Sequence, residues 1–329
     1  MASCGRVIDD PSGKRVEKRR GMNLDENAVG RLLLMEEVIP AMERALADFS
    51  GGKVAQPTRV MVPVAEHEGF LGLMPAYTGS ALGTKLVAFY PRNTAVPTHH
   101  ATILLFKPET GEPLVTMDGR LITEVRTAAV SAVATQRLAR TDASVLAIIG
   151  SGVQARSHLE ALRLVREFRE VRVWSPRRAQ VFAEEHGVRA AASAEEAARG
   201  ADVVVTATTS PKPVLFGEWL SPGAHVNAVG APRPDWRELD DEVLRRARVY
   251  VDSREAAMKE SGDVIAAGEI FAEVGEVVSG AKPGRQSDEE VTLFKSLGLA
   301  VEDVATAELV HRKALEDLTA EEPSVRSES

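Results

Sequence analysis

AIIGSGVQARSHLEAL, residues 147–162, sets a strand, a glycine turn and a helix side by side. VLAII (145–149) reads as a strand and the stretch from Val153 to Phe168 as a helix. The glycines therefore fall where a dinucleotide-binding βαβ unit has its turn. Gly150 can take up the tight turn, Gly152 lets backbone approach a pyrophosphate, and Ala155 stands where a third glycine would pack helix against strand. The first helical turn, through Val153 and Gln154, offers unpaired N–H groups and the positive end of a dipole. A glycine pair alone could be a plain tight turn. Its place between a strand and a helix favours the nucleotide reading.

The second strand, VRVW (171–174), sharpens this reading. An acidic residue at its end would bond the ribose hydroxyls of NAD, but the sequence continues Ser175-Pro176-Arg177-Arg178. Guanidinium groups form charge-assisted bonds to the extra phosphate of NADP, worth roughly 1.5–3 kcal/mol each. NADPH is expected, with NADH less favoured. The alternative is two exposed arginines at a helix start, a poor match for the helix dipole.

Working outward, DVVVTAT (202–208), HVNAVG (225–230) and RVYVD (248–252) are short, continuously apolar strands, as in a parallel sheet covered on both faces. Strand and helix alternate after Thr141, which predicts a Rossmann-type doubly wound α/β sheet. Thr206, Ala207, Val229, Gly230 and Ala231 end strands at the carboxyl edge, where such folds bind ligands. Before this unit, residues 32–49 are spaced as an amphipathic helix in which Pro40 predicts a kink or break. TRVMVPV, FLGLMPAY, TKLVAFY, ATILLF and PLVTMDG follow with the rhythm of an antiparallel sheet, then RTAAVSAVATQRLA as an Ala-rich helix. The stretch LFKSLGLAVEDVATAELVHRKALEDL (293–318) is expected to return to helix and pack on the first sheet. The expected division is residues 22–127 with 302–320 in one α+β domain and 128–301 inserted as the nucleotide domain. Residues 1–21 form a basic disordered extension and 321–329 a flexible tail.

Composition narrows the function classes. The chain has 329 residues, 44% hydrophobic and 27% charged, with a net charge of −8. That balance argues against nucleic acid, whose affinity comes from Lys and Arg on phosphates. No apolar run approaches the roughly 20 residues that cross a bilayer. Cys4 is the only cysteine, so no disulfide framework is expected, and the histidines lack metal-ligand spacing. A cytoplasmic setting follows as the simplest expectation.

With these motifs in order, the chain resembles the ornithine cyclodeaminase/mu-crystallin family, nearest its mu-crystallin branch. QPTRVMVPV, GFLGLMPAY, TKLVAFY, MDGRLITEVRTAAVSAVAT, GSGVQA, LFGEWLSPGAHVNAVGAPRPDWRELDDE, YVDSREAAMKESGDVI and FKSLGLAVED carry the likeness, from about Leu32 to Val310. The resemblance implies a homodimer in which the antiparallel domain serves substrate binding and dimerisation. It implies an NADPH-dependent ketimine reductase that adds hydride to the C=N carbon of cyclic ketimine carboxylates, and thyroid hormone as a further ligand. Lys85 resembles the family lysine beside the reacting centre. Arg59 and Arg126 resemble the arginines that clamp the carboxylate, with Arg126 and Thr127 also near the cofactor phosphates. Thr98 and His99 match positions by the nicotinamide, and Ser296 and Leu297 match a loop that covers it. Cyclodeaminases of the family carry an acid/base aspartate where this chain has Pro232, and proline has no titratable group. Ornithine cyclodeaminase, an alanine dehydrogenase-like enzyme and a hormone-binding protein are the alternatives. For Lys85 the plain reading is an edge-strand lysine, for Arg59 a surface residue, and for Arg126 a salt bridge with Glu124.

Overall fold

The computed structural model describes residues 6–9, 15–18 and 21–321. The other residues expected to form the disordered extension and the tail lie outside this set. Within the extension, Arg6–Asp9 and Arg15–Lys18 pair as an antiparallel ribbon, where the sequence reading had no regular structure.

Two sheets carry the fold. The first has six strands in the order Met22–Leu24, Pro113–Asp118, His99–Phe106, Leu82–Phe89, Gly69–Tyr77 and Val60–Val64. Its pairs are antiparallel except the first, which is parallel. The second has eight strands, all paired in parallel, in the order Arg189–Ala190, Glu170–Trp174, Val145–Ile149, Val203–Thr206, His225–Ala228, Val291–Lys295, Ala247–Val251 and Ala272–Glu273. The protein is thus α/β, with a Rossmann-type parallel sheet beside an antiparallel one. Val145–Ile149 lies between neighbours that the chain visits on opposite sides, the crossover point at which such sheets open a crevice.

The stretch from Val291 corrects the sequence reading. LFKSL was expected to begin the final helix, yet Val291–Lys295 is a fully buried strand between 225–228 and 247–251. Five consecutive buried residues have no polar face, so a strand covered on both sides and a buried helix look alike in sequence. The final helix begins only at Ala300 and runs to Glu321, packing on the antiparallel sheet and on the helix Met35–Ser50. Pro40 causes no break either. The chain breaks before it, between Glu26–Leu32 and Met35–Ser50, where Leu34 is extended. Pro40 forfeits one intrahelical bond, while Val38, Ile39, Met42, Ala45 and Leu46 bury the helix face around it.

Arg120–Leu138 joins the two sheets, and its buried residues run almost without interruption from Arg126 to Thr135. A polar chain fixes it to the parallel sheet. Asn227 Nδ2 donates to Thr135 Oγ1 at 2.9 Å, His225 Nδ1 lies 2.9 Å from Thr292 Oγ1, and Thr292 Oγ1 donates to the Leu138 carbonyl at 3.0 Å. Thr135→Val keeps the shape and orphans the Asn227 amide. Unfolding in urea should show a stability loss of about 1–3 kcal/mol with an unchanged m value.

Candidate active site

Three cations from three elements meet where the sheets adjoin. Lys85 sits in mid-strand opposite Met74 and Ile103, on the face turned to the final helix. Its Nζ lies 2.5 Å from Asp303 Oδ2 in the first turn of that helix. Arg126 reaches the same turn, donating from Nε to Asp303 Oδ1 at 2.9 Å and from Nη1 to Glu302 Oε2 at 2.7 Å. Arg59, just before the strand Val60–Val64, pairs with Glu260 at 3.0 Å and donates to the carbonyls of Leu297 and Gly298 at 3.2 and 2.8 Å. Lys85 and Arg126 are 2% and 4% exposed, so neither is an edge or surface residue. Arg126 pairs with Glu302 and Asp303, and Glu124 instead takes Arg156.

The turn before the final helix is pinned from two sides. Asp252 Oδ2 accepts the N–H groups of Leu297 and Gly298 at 2.6 and 2.7 Å, while their carbonyls face Arg59. Gly298 has φ +79°, and a Cβ there would stand 2.5 Å from Arg126 Nη1. Only a residue without a side chain serves both the turn and the guanidinium.

Burial sets the protonation of the cluster. It pulls Lys85 down to about 8 against the attraction of Asp303, with Arg126 adding to the fall. Burial would raise Asp303, but Arg126 and Lys85 outweigh it and hold the carboxyl below its usual range. Glu302 is pushed up to about 7 by burial, which Arg126 only partly offsets. His99, half-buried, is lowered to about 4 by burial and by Lys85 and Arg126, so it is a neutral imidazole at pH 7. Thr98 is exposed beside it.

The glycine turn could hold a dinucleotide pyrophosphate. Gly150 has φ +129°, and a Cβ on it would meet the Ala207 carbonyl at 2.4 Å, whereas Gly152 faces open space. Gly152 caps Val153–Val165 with no side-chain bond, which leaves the first N–H groups of a 13-residue helix for an anion. Ala155 is fully buried against the sheet, and the Gln154 Oε1 is buried without a partner. Ser175 accepts from Ser151 Oγ at 2.9 Å and from the Arg178 N–H at 3.1 Å, and Arg177 and Arg178 are exposed beside it. Thr206, Ala207, Val229, Gly230 and Ala231 lie along the same strand-end edge as Ser296 and Leu297. Ala231 has φ +52°, a rare conformation for a residue with a Cβ. Thr127 turns its hydroxyl back to the Thr123 carbonyl at 2.7 Å.

Several site residues escaped the sequence reading. Asp303, Glu302, Asp252 and Glu260 supply the negative half of the cluster, and Glu238 organises the strand ends. Glu238 accepts from Thr206 Oγ1, Gly230 N and Thr208 N at 2.8 Å each. The signal was an acidic pair in LAVEDVATA, where an otherwise apolar helix face includes charge. Adjacent acids at a helix start read equally well as dipole complements.

Fold and site together define an α/β protein with a nucleotide-type glycine turn and a buried cation–carboxylate cluster at the junction of its sheets. The chain belongs to the ornithine cyclodeaminase/mu-crystallin family, whose model matches residues 20–317. A ketimine reductase mu-crystallin of Mus musculus is 56% identical over 286 residues, 83% of this chain and 91% of that protein. The structure of Thermococcus litoralis Delta(1)-pyrroline-2-carboxylate reductase in complex with NADH and L-proline matches with TM-score 0.86 and 42% identity, over 90% of this chain and 98% of that one. An archaeal alanine dehydrogenase dimer with bound NAD matches with TM-score 0.86 and 39% identity, over 91% and 97% of the two chains.

Gly298→Ala should crowd Arg126 and strain the turn. The expected loss is about 1–3 kcal/mol, read as a lowered Tm in thermal unfolding.

Proposed function

We propose that this chain is an NADPH-dependent ketimine reductase acting on small cyclic imino acids of the Δ1-piperideine-2-carboxylate and Δ1-pyrroline-2-carboxylate type. The observation that carries the reading is Lys85. It is a buried ammonium paired with Asp303, which Arg126 shares, in a chain whose neighbouring sheet presents a glycine turn shaped for a dinucleotide. The named activities of the relatives, on ketimines and on pyrroline-2-carboxylate, support the same class.

The reduced nicotinamide supplies the hydride when it is bound. The chain's own residues do the rest. Arg126 and Arg59 donate to the substrate carboxylate, and planar guanidinium forks suit that anion. Lys85 Nζ carries the proton that the imine nitrogen needs before its carbon accepts hydride, and Asp303 keeps that proton on Nζ in a buried setting. Burial excludes water from the cluster, which strengthens each of these interactions. His99, neutral at the rim, offers a hydrogen bond without adding charge.

Pro232 weighs against cyclodeamination. It is exposed, and nearby Asp235 is taken up by Arg233, with Oδ1 3.1 Å from Nε. The two sheets support the proposed division of labour, with 22–127 and 302–320 for substrate and 128–301 for nucleotide. They also support a homodimer. The outer face and edge of the antiparallel sheet leave Val60, Val62, Leu71 and Tyr77 39–55% exposed, an apolar surface that a second copy would cover.

Oxidation of NADPH with a panel of five- and six-membered ketimine acids, set against ornithine alone and pyruvate with ammonia, tests the activity. Turnover of the ketimine acids is expected, and its absence would sink the reading. Lys85→Met should lower kcat by orders of magnitude while leaving NADPH binding nearly intact. Because the charged Lys85 is the working form, wild-type kcat/KM should fall as pH rises through about 8. Replacing Arg177 and Arg178 together by Ala should raise the KM for NADPH at least about tenfold more than that for NADH, in keeping with two lost charge-assisted bonds.

A further inference from the structure

The cluster around Lys85 holds more negative than positive charge. Arg59, Lys85 and Arg126 are its three cations, and Asp252, Glu260, Glu302 and Asp303 are its four carboxylates. Each cation already has a carboxylate partner inside the protein. A ligand carboxylate entering here therefore competes with the internal ones and adds a fifth negative group to a site that excludes water. Buried uncompensated charge is costly, and the cheapest relief is to neutralise the internal carboxylate that is held least.

That carboxylate is Glu302. Asp303 touches two cations and Asp252 accepts two backbone N–H groups, while Glu260 is partly exposed. Glu302 is fully buried, one oxygen pairs with Arg126 Nη1, and Oε1 is buried without a partner. The groups facing it are Arg126 from the helix 120–138, Asp252 from the end of the strand 247–251, and Asp303 and the Leu299 amide from its own turn. Two of these are anions that favour a proton on it. An ordinary carboxylic acid at Oε1 would also give the orphaned atom a hydrogen to share.

We propose that a carboxylate ligand enters this cluster together with one proton, taken up on Glu302, so that Arg126 is released from Glu302 to the ligand. Glu302 then acts as a positioning residue. As an anion it keeps the Arg126 fork closed in the empty site, and as an acid it frees the fork for the substrate. The proposal rests on the reading of the cluster as a carboxylate site. It adds a stoichiometry and an address for the proton that binding requires. The burial-raised pKa of Glu302, at about 7, places the exchange in the neutral range.

Calorimetric titration of the full chain, saturated with NADPH, tests this with pyrrole-2-carboxylate, a planar acid whose ring nitrogen takes up no proton near neutrality. Repeating the titration in buffers of different ionisation enthalpy counts protons. Uptake should be close to one per ligand at about pH 8 and should fall toward zero at about pH 6, where Glu302 is already protonated. E302Q should lose most of the uptake at about pH 8, keeping only the smaller share that Lys85, itself lowered to about 8, takes up, and its affinity should weaken less between the two pH values than that of the wild type. Binding without uptake overturns the proposal, as does uptake that is undiminished in E302Q, which would assign the proton to Lys85. No binding by the wild type overturns the carboxylate site itself and the proposal with it. Should E302Q fail to fold, infrared difference spectra of the wild type decide. A protonated-carboxyl band that grows on ligand addition at about pH 8 supports the proposal, and its absence overturns it.

Discussion

The Asp303 carboxylate, shared between Lys85 and Arg126, is the contact on which the rest of the arrangement depends. It comes from the final helix, Lys85 from the antiparallel sheet and Arg126 from the helix that joins the sheets. One fully buried group thus ties three elements that are far apart in sequence. Removing one partner of such a set leaves an uncompensated charge in a dry site, a penalty of about 3–5 kcal/mol in comparable cases. The pair is weak evidence for added stability over an apolar core, but it fixes which way each long side chain points. Preorganised charge is what a site for a small acid requires.

The strand Val291–Lys295 delivers that helix to its place. Its last residue, Lys295, is fully buried and pairs with Asp263 at 3.1 Å, and Asp263 in turn accepts the N–H groups of Glu238 and Leu239. Glu238 then gathers Thr206, Thr208 and Gly230. The carboxyl edge of the parallel sheet is therefore organised by buried charge, as the Lys85 cluster is. Only Ser296 to Leu299 separate the two networks along the chain. The turn at Gly298 makes this short passage workable, since a side chain there would collide with Arg126.

The sequence disclosed the parallel sheet because its signals are local. A glycine turn between an apolar strand and an amphipathic helix can be recognised within about 20 residues. Lys85 was legible for a similar reason, since a lysine inside TKLVAF contradicts its surroundings, whereas Arg59 and Arg126 were carried by the family resemblance. The carboxylates of all three cations were not legible. Glu302 and Asp303 sit at a helix start where acids are expected anyway, and Asp252 follows a strand where turn-forming acids are common. Only the pairing between sheets shows that these groups are buried and turned toward cations. The misplaced boundary at 291–299 has the same origin. A fully buried strand has no polar alternation, and Lys295 inside it looks like a helix-surface residue until Asp263 is seen opposite. The break that Pro40 allowed in sequence does not occur, because its effect depends on how much apolar surface the helix buries, a tertiary quantity.

The two halves of the site use charge in different physical regimes. Around Lys85 and Arg126 the carboxylate partners Glu302 and Asp303 are enclosed, so ions in solution screen these interactions little. At the end of the second strand Arg177 and Arg178 are exposed, with Ser175 fixing the backbone between them and the glycine turn. Contacts there are screened over a Debye length of about 8 Å at physiological ionic strength. Two exposed guanidinium groups can bias the choice between nucleotides without committing the fold to one. A chain of net charge −8 gains little long-range attraction for a polyanionic nucleotide, so its affinity must come from short contacts at the glycine turn. The free N–H groups at the start of the helix Val153–Val165 suit that requirement whichever nucleotide is present, and in the proposed reading the arginines add selectivity to a binding mode the backbone provides.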